Sequence, residues 1–376
     1  MTRGEAALAD VRIRRVRMDR VVEDIGVWRP AGQALELTGH GYPLLGPGRH
    51  HIEGDHPWVF DEMAPDGFLA ERFSGWYEEL GLPPQRKDWS ARQVLTAISI
   101  KGHDFSGNLL VGEQTHEMFM QLFRSGTDPG PSRRGAPELY DYFVDQMLRE
   151  PGHSSVGGAR PKFALRLDDG AGLIVKFTPP LGTEAGQRWS DLLRMEAHCA
   201  AVLAEGGLQA VTARYLERGE RGYLEIERFD RLSGGGRRGH VTLYYLGMVL
   251  YSEYWNAANV VAGLVRDGHL PEEDRARFER QQAFSAAIGN TDTHQGNYGL
   301  LFDDSGRARL SPAYDVLPMA LAPQHDELPD RHRAPFPPPT DTKVAALVTR
   351  LVDVVAADPG LSPGFREAWL RGVNPR

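Results

Sequence analysis

The chain has 376 residues, 41% of them hydrophobic and 25% charged, the balance of an ordinary globular protein with enough apolar material for a large core. A formal charge of −8 argues against wrapping nucleic acid through bulk charge, so direct nucleic-acid contact is not expected. A single cysteine, Cys199, excludes an internal disulfide, and no stretch approaches the roughly eighteen apolar residues of a membrane span, so a cytoplasmic protein with no membrane partner is expected.

Along the chain, residues 1–20 carry Arg3, Arg12, Arg14, Arg15, Arg17 and Arg20 and read as a basic, solvated N-terminal arm. Over 21–125, short apolar runs alternate with turns such as Gly46-Pro47-Gly48. Helices are expected at 68–80 and 90–100, and a strand at 108–112, which makes an N-terminal α/β subdomain. Residues 124–137, rich in Ser, Gly, Pro and Arg, read as a linker, and a helix over 137–149 stops at Pro151-Gly152.

From residue 150 the pattern changes. An alternating strand at 162–167, the turn Asp168-Asp169-Gly170 and an apolar strand at 173–177 form a hairpin. A helix follows at 187–204, then strands at 212–216 and 223–228. Cys199, within that helix, reads as a small buried hydrophobe. The glycine-rich stretch 233–239 separates this β-rich small lobe, 150–232, from a helical lobe, 233–376. In the latter, helices are expected at 251–265 and 271–288, a hairpin at 298–310, a proline-rich loop at 334–339 and a final helix pair. The fold class expected is α+β: a bilobal, protein-kinase-like plan with a β-rich N-lobe and a helical C-lobe behind an N-terminal α/β subdomain.

The segment Asn290-Thr291-Asp292-Thr293-His294-Gln295-Gly296-Asn297 carries the strongest chemical signal. Phosphoryl transfer from ATP needs a carboxylate for the attacking hydroxyl, Mg²⁺ to bridge the phosphates and a cation to neutralise them. Asp292 and Asn297 keep the five-residue spacing of a catalytic Asp and a metal-binding Asn. Asp315 stands beyond the hairpin, where a second metal-binding carboxylate belongs. An Asp–Asn pair alone is common in turns; three such groups in order around a hairpin are not.

Lys176 ends the apolar strand Leu173-Ile174-Val175, and a lysine there needs an anionic partner: ATP phosphates, and within the protein Glu196. Glu196 shares a helical stripe with Trp189, Leu193, Ala200 and Leu203; the plainer reading is a glutamate at the edge of that stripe. Gly157, Gly158, Ala159, Arg160, Pro161 and Lys162 lead into the first small-lobe strand, and the glycines would let backbone N–H groups approach phosphates. Glu227, Arg228 and Phe229 lie where a hinge would bind adenine, although such a run is also ordinary charged surface.

Ser-Val-Gly-Gly-Ala-Arg-Pro-Lys, the lysine strand, Glu-Arg-Phe-Asp-Arg, and Asn-Thr-Asp-x-His-x-x-Asn followed by Leu-Ser-Pro-Ala-Tyr-Asp together resemble the HipA-like kinases, the toxin components of bacterial toxin–antitoxin modules. The resemblance covers about 150–320 and, more loosely, 21–120. It implies an ATP- and Mg²⁺-dependent serine/threonine kinase with Asp292 as catalytic base, Asn297 and Asp315 on Mg²⁺, and His294 and Tyr314 near the nucleotide. Lys176 and the 157–162 loop would hold phosphates, Glu227 to Phe229 the adenine. Ser155 matches a serine these kinases autophosphorylate, which would put about −2 of charge beside Arg160 and Lys162. Implied partners are a protein substrate, such as an aminoacyl-tRNA synthetase or other translation factor, and a DNA-binding antitoxin. A small-molecule phosphotransferase and a nucleotide-binding regulator without turnover stand as alternatives. The arginine-rich start has no counterpart in the family.

Overall fold

The computed structural model describes residues 10–39, 41–42, 44–52, 57–63, 80–83, 88–124, 137–149, 161–252, 256–323 and 335–373. Val11–Val16 (β1), Val22–Arg29 (β2), Ala34–Leu37 (β3), Gly48–His51 (β4) and Leu109–Val111 (β5) build an antiparallel sheet in the order β4-β3-β2-β1-β5. The helices Val59–Met63 (α1), Ala91–Lys101 (α2) and Glu113–Arg124 (α3) accompany it. The start of α2 is fixed by a capping box, in which Ser90 Oγ accepts from the Gln93 amide and Gln93 Oε1 accepts from the Ser90 amide. Its Leu95 and Ile98 pack against Ile13, Trp28 and Leu35 of the sheet. Of the helix expected at 68–80, residues 68–79 lie outside the described residues.

The arginine-rich segment departs from the expected solvated arm, because residues 11–16 form an interior strand. Arg14 and Arg15 are buried. Arg14 donates to both oxygens of Glu113 at 3.0 and 2.8 Å, and Arg15 Nε donates to Glu23 Oε1 at 2.7 Å. The alternating Val, Ile and Arg pattern looks polar only when its acidic partners are out of view. Once Glu23, Asp24 and Glu113 supply the opposite charge, the long arginine stems cover the sheet.

After Tyr140–Arg149 (α4) comes a four-stranded antiparallel sheet ordered β6-β7-β9-β8, made of Lys162–Arg166 (β6), Gly172–Phe177 (β7), Ala213–Arg218 (β8) and Arg221–Glu227 (β9). Gly170 closes the β6–β7 turn with φ +86°, a conformation that glycine adopts without steric cost. Glu184–Glu205 (α5) lies against this sheet, with Thr183 Oγ1 accepting from the Gly186 amide at 2.9 Å at its N-cap. One side of α5 packs Leu193 and Ala200 on Leu224 and Ile226 of β9. The other puts Leu192, Met195, Cys199 and Leu203 into the largest core. Cys199 is fully buried there, and burial pushes its thiol up.

The remainder comprises Gly239–Thr242 (β10), Leu243–Leu246 (α6), a π-helical turn at Gly247–Tyr251, Ala257–Arg266 (α7), Glu272–Ala287 (α8), Gly299–Phe302 (β11), Ala308–Leu310 (β12), Thr342–Ala357 (α9) and Pro363–Val373 (α10). The strands pair in the order β10-β11-β12. The helix expected from residue 251 begins at Ala257, because Asn256 Oδ1 accepts from the amides of Ala258 and Asn259 and caps it there. Helices α8, α9 and α10 close the large core around Phe284, Leu351, Phe365 and Trp369. Among the described residues no helix is long and apolar enough to cross a membrane.

Candidate active site

Lys176 is placed by strand register. In β7, Leu173, Val175 and Phe177 point into one apolar cluster, which turns Ile174 and Lys176 toward the other face of the sheet. Lys176 is only 4% exposed and Glu196, on α5, only 1%. The Lys176 ammonium donates to Glu196 Oε1 at 2.6 Å and to Asp315 Oδ1 at 2.5 Å. Register also pairs Lys176 with Lys162 of β6, so two cations sit side by side at one edge of the sheet.

The Asp292 segment follows α8. The chain turns at Gly289 with φ +83°, and Asn290 then binds in two directions. Its Oδ1 accepts from the Asp292 amide at 3.1 Å, and its Nδ2 donates to the carbonyl of Asp315 at 3.3 Å. Asn297 Nδ2 donates to the Asp292 carbonyl at 2.6 Å. The Asp292 side chain is half exposed, with His294 Nε2 at 3.7 Å. His294 is itself held by the Gly296 amide, which donates to Nδ1 at 3.0 Å. The β11–β12 hairpin carries the chain to Asp315, whose φ of +55° is a left-handed conformation that Asp tolerates better than most residues. Buried Asp274 of α8 secures the hairpin by accepting from the Leu310 amide at 2.9 Å and from Arg309 Nε at 2.9 Å.

An aromatic wall flanks these groups. Phe229 packs on Tyr314 at 5.5 Å and on His240 at 5.2 Å between ring centroids, and the Tyr314 hydroxyl donates to the Gly296 carbonyl at 2.9 Å. Burial, with Asp315 adding to it, pushes the Tyr314 phenol well above its ordinary value.

Arg228 does not face the cleft. Its Nη2 and Nε donate to Asp230 at 2.9 and 3.0 Å, and its Nη1 lies 3.4 Å from Asp104. The Glu227 amide donates to the Thr212 carbonyl and the Arg228 amide to the Gly172 carbonyl, both at 2.9 Å. Those two N–H groups are therefore committed within the protein, and the Arg228 side chain turns to the N-terminal subdomain. The charged run instead joins the N-terminal subdomain. The Gly107 amide donates to Asp230 Oδ2 at 2.9 Å, and Arg231 Nη1 donates to the Gly107 carbonyl at 2.7 Å. Burial works to raise the Asp104 carboxyl, and Arg228 and Arg231 override it, holding it at about 2.

The structure thus brings together Lys176, Glu196 and Asp315, and links Asp292 to Asn297. Pro161 lies beside them, its carbonyl accepting from the Phe177 amide at 3.2 Å. Ser155, Gly157, Gly158, Ala159 and Arg160 lie outside the described residues. The bridging role of Asn290 was not read from the sequence, although its place two residues before the candidate base in a helix-exit turn is a usable signal. Among the described residues no three His, Cys, Asp or Glu side chains cluster to hold a metal unaided. The donors present are the Asp315 carboxylate and the Asn297 amide oxygen, hard ligands of the kind that suit Mg²⁺ when substrate phosphates complete its shell. A cation at the end of a buried strand, a half-exposed carboxylate and two oxygen donors can bind a polyphosphate and accept a proton from an attacking hydroxyl.

Comparison with known proteins gives two family matches: the HipA-like C-terminal domain over residues 154–346 and the YjjJ-like toxin middle domain over residues 10–120. The chain is 30% identical to Toxin YjjJ of Escherichia coli over 272 residues, which are 71% of this chain and 61% of that protein, so it matches less than two thirds of that relative's length. Among solved structures, the Shewanella oneidensis HipA, determined in a complex of HipA, HipB and operator DNA, superposes with a TM-score of 0.54 at 17% identity. That superposition covers 96% of this chain and 87% of the other, and it shows a shared α+β, kinase-like fold.

Proposed function

This chain belongs to the HipA-like C-terminal domain family, and on that footing we propose that it is an ATP- and Mg²⁺-dependent serine/threonine protein kinase of toxin type. The observation that carries the reading is the contact of Lys176 with both Glu196 and Asp315, because it joins the phosphate-binding cation of one lobe to the metal-binding carboxylate of the other.

In this reading Asp292 orients the acceptor hydroxyl and takes its proton, and its half-exposed carboxylate is open to a protein substrate. Lys176 and Lys162 neutralise the phosphates, and Glu196 holds Lys176 upright. Asn297 and Asp315 would hold Mg²⁺, which supplies charge neutralisation on the phosphate oxygens. Asn290 keeps the two halves of this arrangement in register. The wall of Phe229, Tyr314 and His240 offers an apolar surface for the base, and Arg228 is not part of the nucleotide set. Ser155 is the proposed autophosphorylation site. A translation component is the proposed protein substrate, and the solved HipA–HipB–operator DNA complex supports a DNA-binding antitoxin as partner.

The test is transfer of label from γ-labelled ATP to a lysate protein, wild type against Asp292→Asn. Label on a protein hydroxyl, reduced about 10²-fold or more in the variant, is the expected result. Equal labelling by both proteins, or label found only on small molecules, would overturn the reading.

A further inference from the structure

The aromatic wall of the cleft is held from behind by the N-terminal subdomain. His240, on β10, is buried, and its ring packs on Phe229 at 5.2 Å between centroids. Ser106 Oγ and His240 Nδ1 are hydrogen-bonded at 3.0 Å, across 134 positions of the chain. The same nitrogen lies 3.6 Å from Glu62 Oε1 of α1. The far edge of the ring is pressed against β11, where a Cβ at Gly299 would stand 2.5 Å from Nε2. The last torsion of an imidazole side chain has a broad well, so the bond to Ser106 is what fixes the angle of the ring.

Ser106 is itself gripped from the hinge. Arg231 donates from Nη2 to the Phe105 carbonyl at 2.5 Å and from Nη1 to the Gly107 carbonyl at 2.7 Å, one residue to either side. The Gly107 amide donates to Asp230 Oδ2 at 2.9 Å. Three bonds therefore hold the backbone around a half-buried side chain. Glu62 reaches the same strand separately, its Oε2 accepting from the amide and hydroxyl of Thr242 at 3.1 and 2.9 Å. Thr242 follows His240 by two residues and so shares its face of β10. From Ser106 the contacts run on unbroken, through His240 and Phe229 to Tyr314, whose hydroxyl donates to the Gly296 carbonyl. Close-packed side chains pass a displacement on to their neighbours.

We propose that Ser106 is a positioning residue for nucleotide binding: by fixing the His240 ring it fixes Phe229 and Tyr314, and so sets the surface against which the adenine base packs. This role rests on the reading of that wall as the base site, and it makes part of nucleotide affinity a property of the N-terminal subdomain. Stacking on a base depends on ring orientation, whereas phosphates are held by charge, at Lys176 and Lys162. Loss of the Ser106 hydroxyl should therefore weaken the hold on the base and leave the hold on the phosphates.

The full chain, with Mg²⁺, is titrated by calorimetry with a non-hydrolysable ATP analogue and, separately, with inorganic tripolyphosphate, which carries the phosphates without a base. Ser106→Ala should bind the analogue about 3- to 10-fold more weakly than wild type, the effect of losing one hydrogen bond, and tripolyphosphate equally well. If Ser106→Ala does not fold, Ser106→Cys, whose thiol is a weaker hydrogen-bonding group, carries the same comparison. Unchanged affinity for the analogue in the variant, or an equal loss for both ligands, overturns the role of Ser106 and leaves the kinase reading standing. A wild type that does not bind the analogue refutes the kinase reading, and the base site with it.

Discussion

The Nζ of Lys176 and Oδ1 of Asp315 lie 2.5 Å apart although 139 positions separate the two residues in the chain. The contact crosses from β7 to the segment after β12, and Glu196 at 2.6 Å completes a triad of one cation and two carboxylates, with Lys176 and Glu196 buried and Asp315 about a third exposed. That triad sets the energetic stakes for its members.

Removing Lys176 alone should therefore be expensive. Lys176→Met leaves Glu196 buried with its charge unmatched, and a loss of about 3–5 kcal/mol in stability is expected from urea unfolding. Lys176→Met combined with Glu196→Gln should recover most of that loss, because both charges leave together, while phosphotransfer stays absent. A double variant no more stable than the single one would show that the pair is not what stabilises this part of the lobe.

Asn290 should behave as a positioning residue. Asn290→Ala removes the bonds to the Asp292 amide and the Asp315 carbonyl, freeing two groups whose separation matters to the reaction. A fall in kcat of about 10²-fold is expected with little change in the KM for ATP, since a misplacement of about 1 Å costs that much. Steady-state kinetics that show only a KM change would place Asn290 in binding instead.

Glu62 of α1 should give folding a pH dependence. Its side chain is 7% exposed and accepts from the Thr242 amide at 3.1 Å and the Thr242 hydroxyl at 2.9 Å. Burial lifts its carboxyl from the usual 4.5 to about 7. A raised carboxyl favours the folded state while it is protonated, so this contribution is present below 4.5, declines as pH rises, and is lost above about 7. Nearby His240, lowered by burial to about 4, stays neutral throughout most of that window. Compared by urea unfolding, Glu62→Gln should gain on wild type between pH 5 and pH 8, by up to roughly 3 kcal/mol. A difference that is flat with pH would mean that Glu62 titrates normally.

The elements most legible in the sequence are those whose signals are local. The hairpin around Asp169-Gly170, the long helix bearing Glu196 and the order of Lys176, Asp292, Asn297 and Asp315 along the chain all follow from turn chemistry, apolar periodicity and fixed spacing. The strand at Val11–Val16 was not legible as a strand. Its arginines looked solvated because Glu23, Asp24 and Glu113 reach them only through sheet pairing and the packing of α3. The direction of the Arg228 side chain was not legible for a related reason: a charged run beside a hinge has the same composition whether it faces a ligand or a subdomain.

Residue order alone therefore determined which chemical groups this protein carries and in what sequence, because the parts that the proposed phosphoryl transfer calls for restrict both residue type and spacing. Which charges neutralise which was decided only in three dimensions. Lys176 meets Asp315 and Arg228 meets Asp104, since electrostatic pairing depends on distance through the folded molecule and not on separation along the chain.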